Sequence, residues 1–175
     1  MRLSLLAALL SAAITTASAQ EYRVRVTLPG WDRVPLALDT VATPVEIDAP
    51  AHKVFLATVA AMEELKIPLT INDAAQGIVG NATLKLTYSF AGFPMARLQN
   101  CGIGAMGPNA SSYRLHIAIV AFVDDAGASG SKLRVAFAAG ATDLAGTSKE
   151  PTMCRSSGAL EEKIAELVKQ RLRTM

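Results

Sequence analysis

Charge of either sign is scarce in this sequence. Its 175 residues carry 17 Lys or Arg against 15 Asp or Glu, for a formal net charge of +2. So even a balance creates no long-range field of the kind that draws a protein onto nucleic acid or an anionic membrane, because both need clustered basic residues. Histidine is nearly absent, with only His52 and His116, which leaves imidazole-based acid–base or zinc chemistry few starting points. The two cysteines, Cys101 and Cys154, are not arranged as Cys-x-x-Cys, and no serine sits in a Gly-x-Ser-x-Gly elbow. Internal repeats, low-complexity tracts and interdomain linkers are also missing, and beyond residue 19 no apolar run reaches the roughly 20 residues of a membrane-spanning helix.

What is present is an ordinary globular composition, 51% hydrophobic with 12 Gly and 8 Pro, which predicts one folded domain. Arg2, the apolar run from Leu3 to Ile14 and Ala17-Ser18-Ala19 have the three parts of a secretory signal peptide. Residues 1–19 are expected to be removed after Ala19, and the absence of Cys at that point predicts a product released in soluble form, to the periplasm or the exterior. An oxidising compartment predicts one disulfide between Cys101 and Cys154, with two free thiols, a shared metal site or a redox pair as the alternatives.

Periodicity then places the elements. Tyr22, Val24, Val26 and Leu28 alternate with polar residues as in a half-buried strand, and a proline-punctuated connector follows to residue 44. Residues 45–175 form the main domain. Val45 and Ile47 start it as a short strand, and a helix opens at Pro50, capped by Asp48, and runs to about Lys66 with Phe55, Val59, Met62 and Leu65 on one stripe. Strands are predicted at Leu69 to Asn72 and at Ile78 to Phe90, the latter with Leu84, Leu86, Tyr88 and Phe90 on its buried face. Ala91 to Ser112 shows no period. Tyr113 to Val123 and Lys132 to Thr142 read as a hairpin around Asp124 to Ser131, and in-register pairing sets Phe122 opposite Arg134, Ala118 opposite Ala138 and Ile119 opposite Phe137. Ser157 or Gly158 caps a last helix with Leu160, Ile164, Leu167, Val168 and Leu172 facing inward.

The order ββαββββα implies an α+β fold, a two-layer sandwich in which an antiparallel sheet of five or six strands is covered on one face by two helices. The run from Val45 through Gly80, with Ala49-Pro50-Ala51, Val54-Phe55, Ile67-Pro68 and the turn from Asp73 to Gly77, resembles the helix-grip domains of the BamC-type accessory lipoprotein of outer-membrane assembly. Cys101-Gly102 to Tyr113, and Cys154 to Glu161, are similar to an uncharacterised family of exported bacterial proteins. The resemblance implies a helix-grip fold and an envelope role.

Chemistry-bearing motifs are few. Gly102-Ile103-Gly104-Ala105-Met106-Gly107 fits the dinucleotide fingerprint Gly-x-Gly-x-x-Gly, yet Pro108, Asn109 and a strand follow where a helix must open, so a tight turn is expected and no cofactor. His52 falls in the first turn of a helix with only Asp48 near it, and His116 on a strand face with Arg114; neither has a second histidine at ligand spacing. Asn81-Ala82-Thr83 and Asn109-Ala110-Ser111 are glycosylation sequons that matter only in a eukaryotic secretory pathway. Recognition is better supported. The aperiodic stretch is longer than an ordinary connection and carries Phe93, Met95, Leu98, Ile103 and Met106, the pattern of a binding loop or of packing beneath a sheet edge. A second candidate surface joins Arg114, Phe122 and Arg134 on the outer sheet face, unless the segment around Trp31 covers it. The expectation is a non-catalytic envelope module that binds a protein, a peptide or an apolar ligand in a helix–sheet groove, with no catalytic residue, metal or cofactor assigned. A hydrolase, the rival, would need a nucleophile and base converging from distant segments.

Overall fold

Two apolar runs, Leu115 to Val123 and Leu133 to Ala141, are buried almost without interruption, as strands covered on both faces must be. The computed structural model in which they lie describes residues 23–31, 34–127 and 130–175; the expected signal peptide falls outside the described residues. In chain order the main elements are β1 (Thr43–Ile47), α1 (Ala51–Glu64), β2 (Ile71–Asp73), β3 (Ile78–Leu86), α2 (Met95–Leu98), β4 (Gln99–Asn100), β5 (Arg114–Asp125), β6 (Ser131–Thr142), β7 (Thr152–Ser156) and α3 (Ala159–Leu172). The class is mixed α+β, and every strand pairing is antiparallel.

The expected hairpin is the centre of the sheet, with Phe122 opposite Arg134, Ala118 opposite Ala138 and Ile119 opposite Phe137, as the pattern predicts. β3 joins the far edge of β5, and β2 joins β3. The outer edge of β6 is shared: β1 pairs with Ser131 to Val135, β7 pairs with Ala139 to Ala141, and β4 adds to β7. The sheet therefore has seven strands rather than five or six, and three helices rather than two occur among the described residues. α1 packs on α3, on β3 and on β5, while α3 also packs on β6. Val54, Phe55, Ala61 and Met62 of α1 and Leu160, Ile164 and Val168 of α3 share one core with Ile117, Ile119, Leu133 and Val135 of the sheet.

Several boundaries differ from the pattern. Pro50, not Asp48, occupies the cap position of α1 and makes no side-chain cap bond. Gly158 caps α3 with φ of 86°, a left-handed conformation that costs glycine little. The strand expected at Leu69 to Asn72 is β2, displaced to Ile71–Asp73. The long strand expected to Phe90 stops at Leu86: Tyr88 adopts φ of 64° and turns outward, 63% exposed, so it is not on the buried face with Leu84.

The largest departure is a third layer. Val26, Leu28 and Leu38 form a second core with Ala118, Val120, Phe122, Ala136 and Ala138, on the face of the sheet opposite the helices. The two-layer expectation is thus incomplete, because the N-terminal connector covers the outer face. Among the described residues, regular pairing in this arm is limited to Arg25–Val26 with Leu36–Ala37. The Trp31 indole N–H donates to the Ala139 carbonyl at 2.8 Å, and a Cβ on Gly140 would collide with the Pro29 carbonyl, so only glycine admits the arm at that point.

Candidate functional site

The connection from β3 to β5 leaves and re-enters the same end of the sheet, because Leu86 lies opposite Leu115. Between them the chain makes a small ladder, Ser89–Phe90 with Phe93–Pro94, then α2, β4 and a second hairpin pairing Ile103–Gly104 with Gly107–Pro108. A 3-10 turn at Asn109–Ser111 closes the excursion. Its base is fixed covalently and by hydrogen bonds. Cys101 and Cys154 form the expected disulfide, next to the ladder in which Asn100 faces Arg155. The Asn109 side-chain amide donates to the Cys101 carbonyl at 3.1 Å, and the Asn109 backbone N–H to the Gly102 carbonyl at 3.0 Å.

The sequence-predicted residues of this excursion separate into two groups. Met95 and Leu98 are completely buried in the helix-side core, together with Phe90, Cys101 and Ala110. They are packing residues and cannot meet a partner, which corrects the expectation that they belong to a binding surface. Ile103 and Met106 are the opposite case, 84% and 93% exposed at the hairpin tip. Phe93 lies between the two, half-buried with the Arg97 guanidinium 5.1 Å over its ring. The Gly-x-Gly-x-x-Gly run is this hairpin; no helix of useful length follows it, so it has no phosphate cradle.

Arg114, Phe122 and Arg134 do not form an open patch. Phe122 is fully buried, with the Arg23 and Arg134 guanidiniums 4.9 and 5.5 Å from its ring centroid. Both arginines engage Asp124: Arg23 Nη2 lies 2.9 Å from Oδ1, and Arg134 donates to Oδ2 from Nη2 at 2.9 Å and from Nε at 3.1 Å. Arg134 also donates to the Asp39 carbonyl at 3.2 Å. Phe122 and Arg134 are therefore a latch holding the arm on the sheet, again a correction. Arg114 alone is exposed, at the start of β5.

Neither histidine is placed for catalysis. His52 lines a cleft of about 430 Å³ with Phe55, Leu56 and Gln76. Asp124 at the cleft is held by its two arginines, Asp125 accepts from the Gly127 N–H, and among the described residues no hydroxyl or thiol lines the cleft. His116 Nε2 lies 3.5 Å from the Thr142 hydroxyl, and its pKa is lowered by burial, then by Lys85 and Arg114. Among the described residues no group of three His, Cys, Asp or Glu could hold a metal ion, and no helix is long and apolar enough to cross a membrane.

No known family model matches the chain, and no curated protein does. The site must be read from its own geometry.

A groove of about 300 Å³ between α3 and β1 is lined by Val45, Val135 and Ala165 together with Glu161, Glu162, Glu166 and Lys169. Burial pushes the Glu161 carboxyl above its ordinary pKa, and its Oε2 is buried without a hydrogen-bond partner. Ionisable groups lining the groove suit an apolar ligand poorly. Sequence reasoning missed Arg97 and Arg155, which flank the base of the excursion, and Tyr88. Arg155 reaches the base of the excursion only through the β4–β7 ladder, opposite Asn100, and no residue type at Tyr88 marks the turn.

Proposed function

We propose that the protein is a non-catalytic binding module of the bacterial envelope, exported by its N-terminal signal and docking through the hairpin Ile103–Pro108. One observation carries this reading: two large apolar side chains stand almost fully exposed on a hairpin whose base is buried, disulfide-bonded and braced by Asn109. A tip held in this way loses little conformational entropy on association. The helix-grip architecture and a role in building or maintaining the outer envelope, in the manner of BamC-type proteins, belong to the same proposal and rest on the sequence resemblance. Crosslinking and pull-down from native envelopes, with wild type and an Ile103→Ser/Met106→Ser variant side by side, tests it. Loss of adducts in the variant is expected, whereas identical adducts would remove the hairpin from consideration. Mass spectrometry of the exported product is expected to begin at Gln20; retention of Arg2 would contradict export by this signal.

A further inference from the structure

We infer that the occupant of the hairpin tip is an anionic lipid surface, an inference that rests on the reading of the hairpin as the docking element. The first observation is charge. Although the whole chain is nearly neutral, no Asp or Glu occurs between Asp73 and Asp124, while Lys85, Arg97 and Arg114 fall within that span. β7 brings Arg155 to the same base, opposite Asn100. Arg97, Arg114, Arg155 and Lys85 are all exposed. Of the acidic groups nearby, Asp143, one residue beyond the Thr142 that pairs with Arg114, offsets that arginine, whereas Glu64 and Glu161 do not offset Arg97, Arg155 and Lys85. Glu64, at the end of α1 beside the Ser89 to Gly92 turn, is taken by Arg171 at 2.6 Å, and Glu161 is turned inward at the start of α3. Burial, and then Lys85 and Arg114, oppose protonation of His116 at this end of the sheet.

The second observation is shape. Met106 lies in the two-residue turn between Gly104 and Gly107 and Ile103 on the strand leading into it, so the apolar surface is a convex point rather than a groove or a flat patch. A protein partner would have to bury on the order of 800 Å² per side to hold it. A bilayer closes around a protruding point without a matching pocket, while long basic side chains at its base stay at headgroup level. Attraction confined to one end of the molecule acts within about 10 Å at 0.1 M salt, which explains how a chain with so little net charge can still be drawn to such a surface.

Flotation of the disulfide-bonded protein with phosphatidylglycerol and with phosphatidylcholine vesicles tests this. Wild type is expected to float with the anionic vesicles, to stay behind with the neutral ones, and to be released by high salt. Ile103→Ser/Met106→Ser should weaken partitioning more than roughly tenfold, and Arg97→Gln and Arg155→Gln by roughly fivefold each with a shallower salt dependence. Unchanged melting of each variant shows that the fold survives. Equal partitioning onto neutral vesicles, no partitioning at all, or unaltered partitioning of the tip variant would overturn the inference. If vesicles are ignored while envelope proteins are still captured through Ile103 and Met106, the lipid assignment fails and the docking role stands; failure of both removes both.

Discussion

Met95 and the hairpin tip lie less than a dozen residues apart in one excursion, yet the structure assigns them opposite roles, and serine substitutions at Met95, Ile103 and Met106 separate them. Met95 has no exposed surface and belongs to the helix-side core, with its backbone N–H bonded to the Tyr88 carbonyl at 2.7 Å. Truncating a buried methionine costs about 2–5 kcal/mol through lost transfer energy and the cavity left behind. At about 2–4 °C per kcal/mol for a chain of this size, Met95→Ser should melt roughly 5–15 °C below wild type. A buried serine hydroxyl without a partner adds to that loss. Ile103→Ser and Met106→Ser, on exposed side chains, should stay within about 0.5 kcal/mol of wild type. Thermal melts followed by circular dichroism, with urea titrations to check that the slope is unchanged, measure all three. If Met95→Ser melts with wild type, the excursion is not packed as described and the division between buried base and exposed tip is wrong.

Reducing the Cys101–Cys154 bond, or replacing both cysteines by alanine, should cost roughly 4 kcal/mol by the loop-entropy argument, read as a lower melting temperature; titratable thiols in the unreduced, denatured protein would contradict the pairing. Glu161→Gln should raise stability at pH 7. The folded state keeps its proton to a higher pH than the unfolded state does, so stability present in acid is lost as pH rises through the folded value, and the advantage of glutamine should vanish below about pH 4.5. Gly140→Ala should push the arm off the outer sheet face, because its Cβ meets the Pro29 carbonyl. The single tryptophan, Trp31, reports that displacement as a red shift and gain in quenching, and an unchanged spectrum would count against the third layer.

Alternation and helical spacing made the centre of the fold legible. The β5–β6 register follows from pairing two apolar runs across a Gly- and Asp-rich turn, and the disulfide from the count of two cysteines and the expectation of an oxidising compartment. The third layer was harder to read. In the segment from Val24 to Leu38 regular ladder bonds are few, so its burial depends on Trp31, Leu38 and the Arg23–Asp124–Arg134 latch, which long-range contacts bring together and no local period announces. The binding stretch was half legible. Its length and apolar content marked it, but five apolar residues with no period do not reveal which point inward, and the structure sends Met95 and Leu98 to the core and Ile103 and Met106 to solvent. Tyr88 went unread for a different reason: its positive φ is imposed by tertiary context and contradicts the preference of an aromatic residue.

The central claim is that Ile103 and Met106 are the point of contact. A photo-crosslinking side chain placed at position 106, and in a control at the exposed Leu144, tests this directly in intact cells. The account predicts adducts from position 106, to lipid or to an envelope protein, and none from position 144. The same adducts from both positions, or none from position 106, would contradict it.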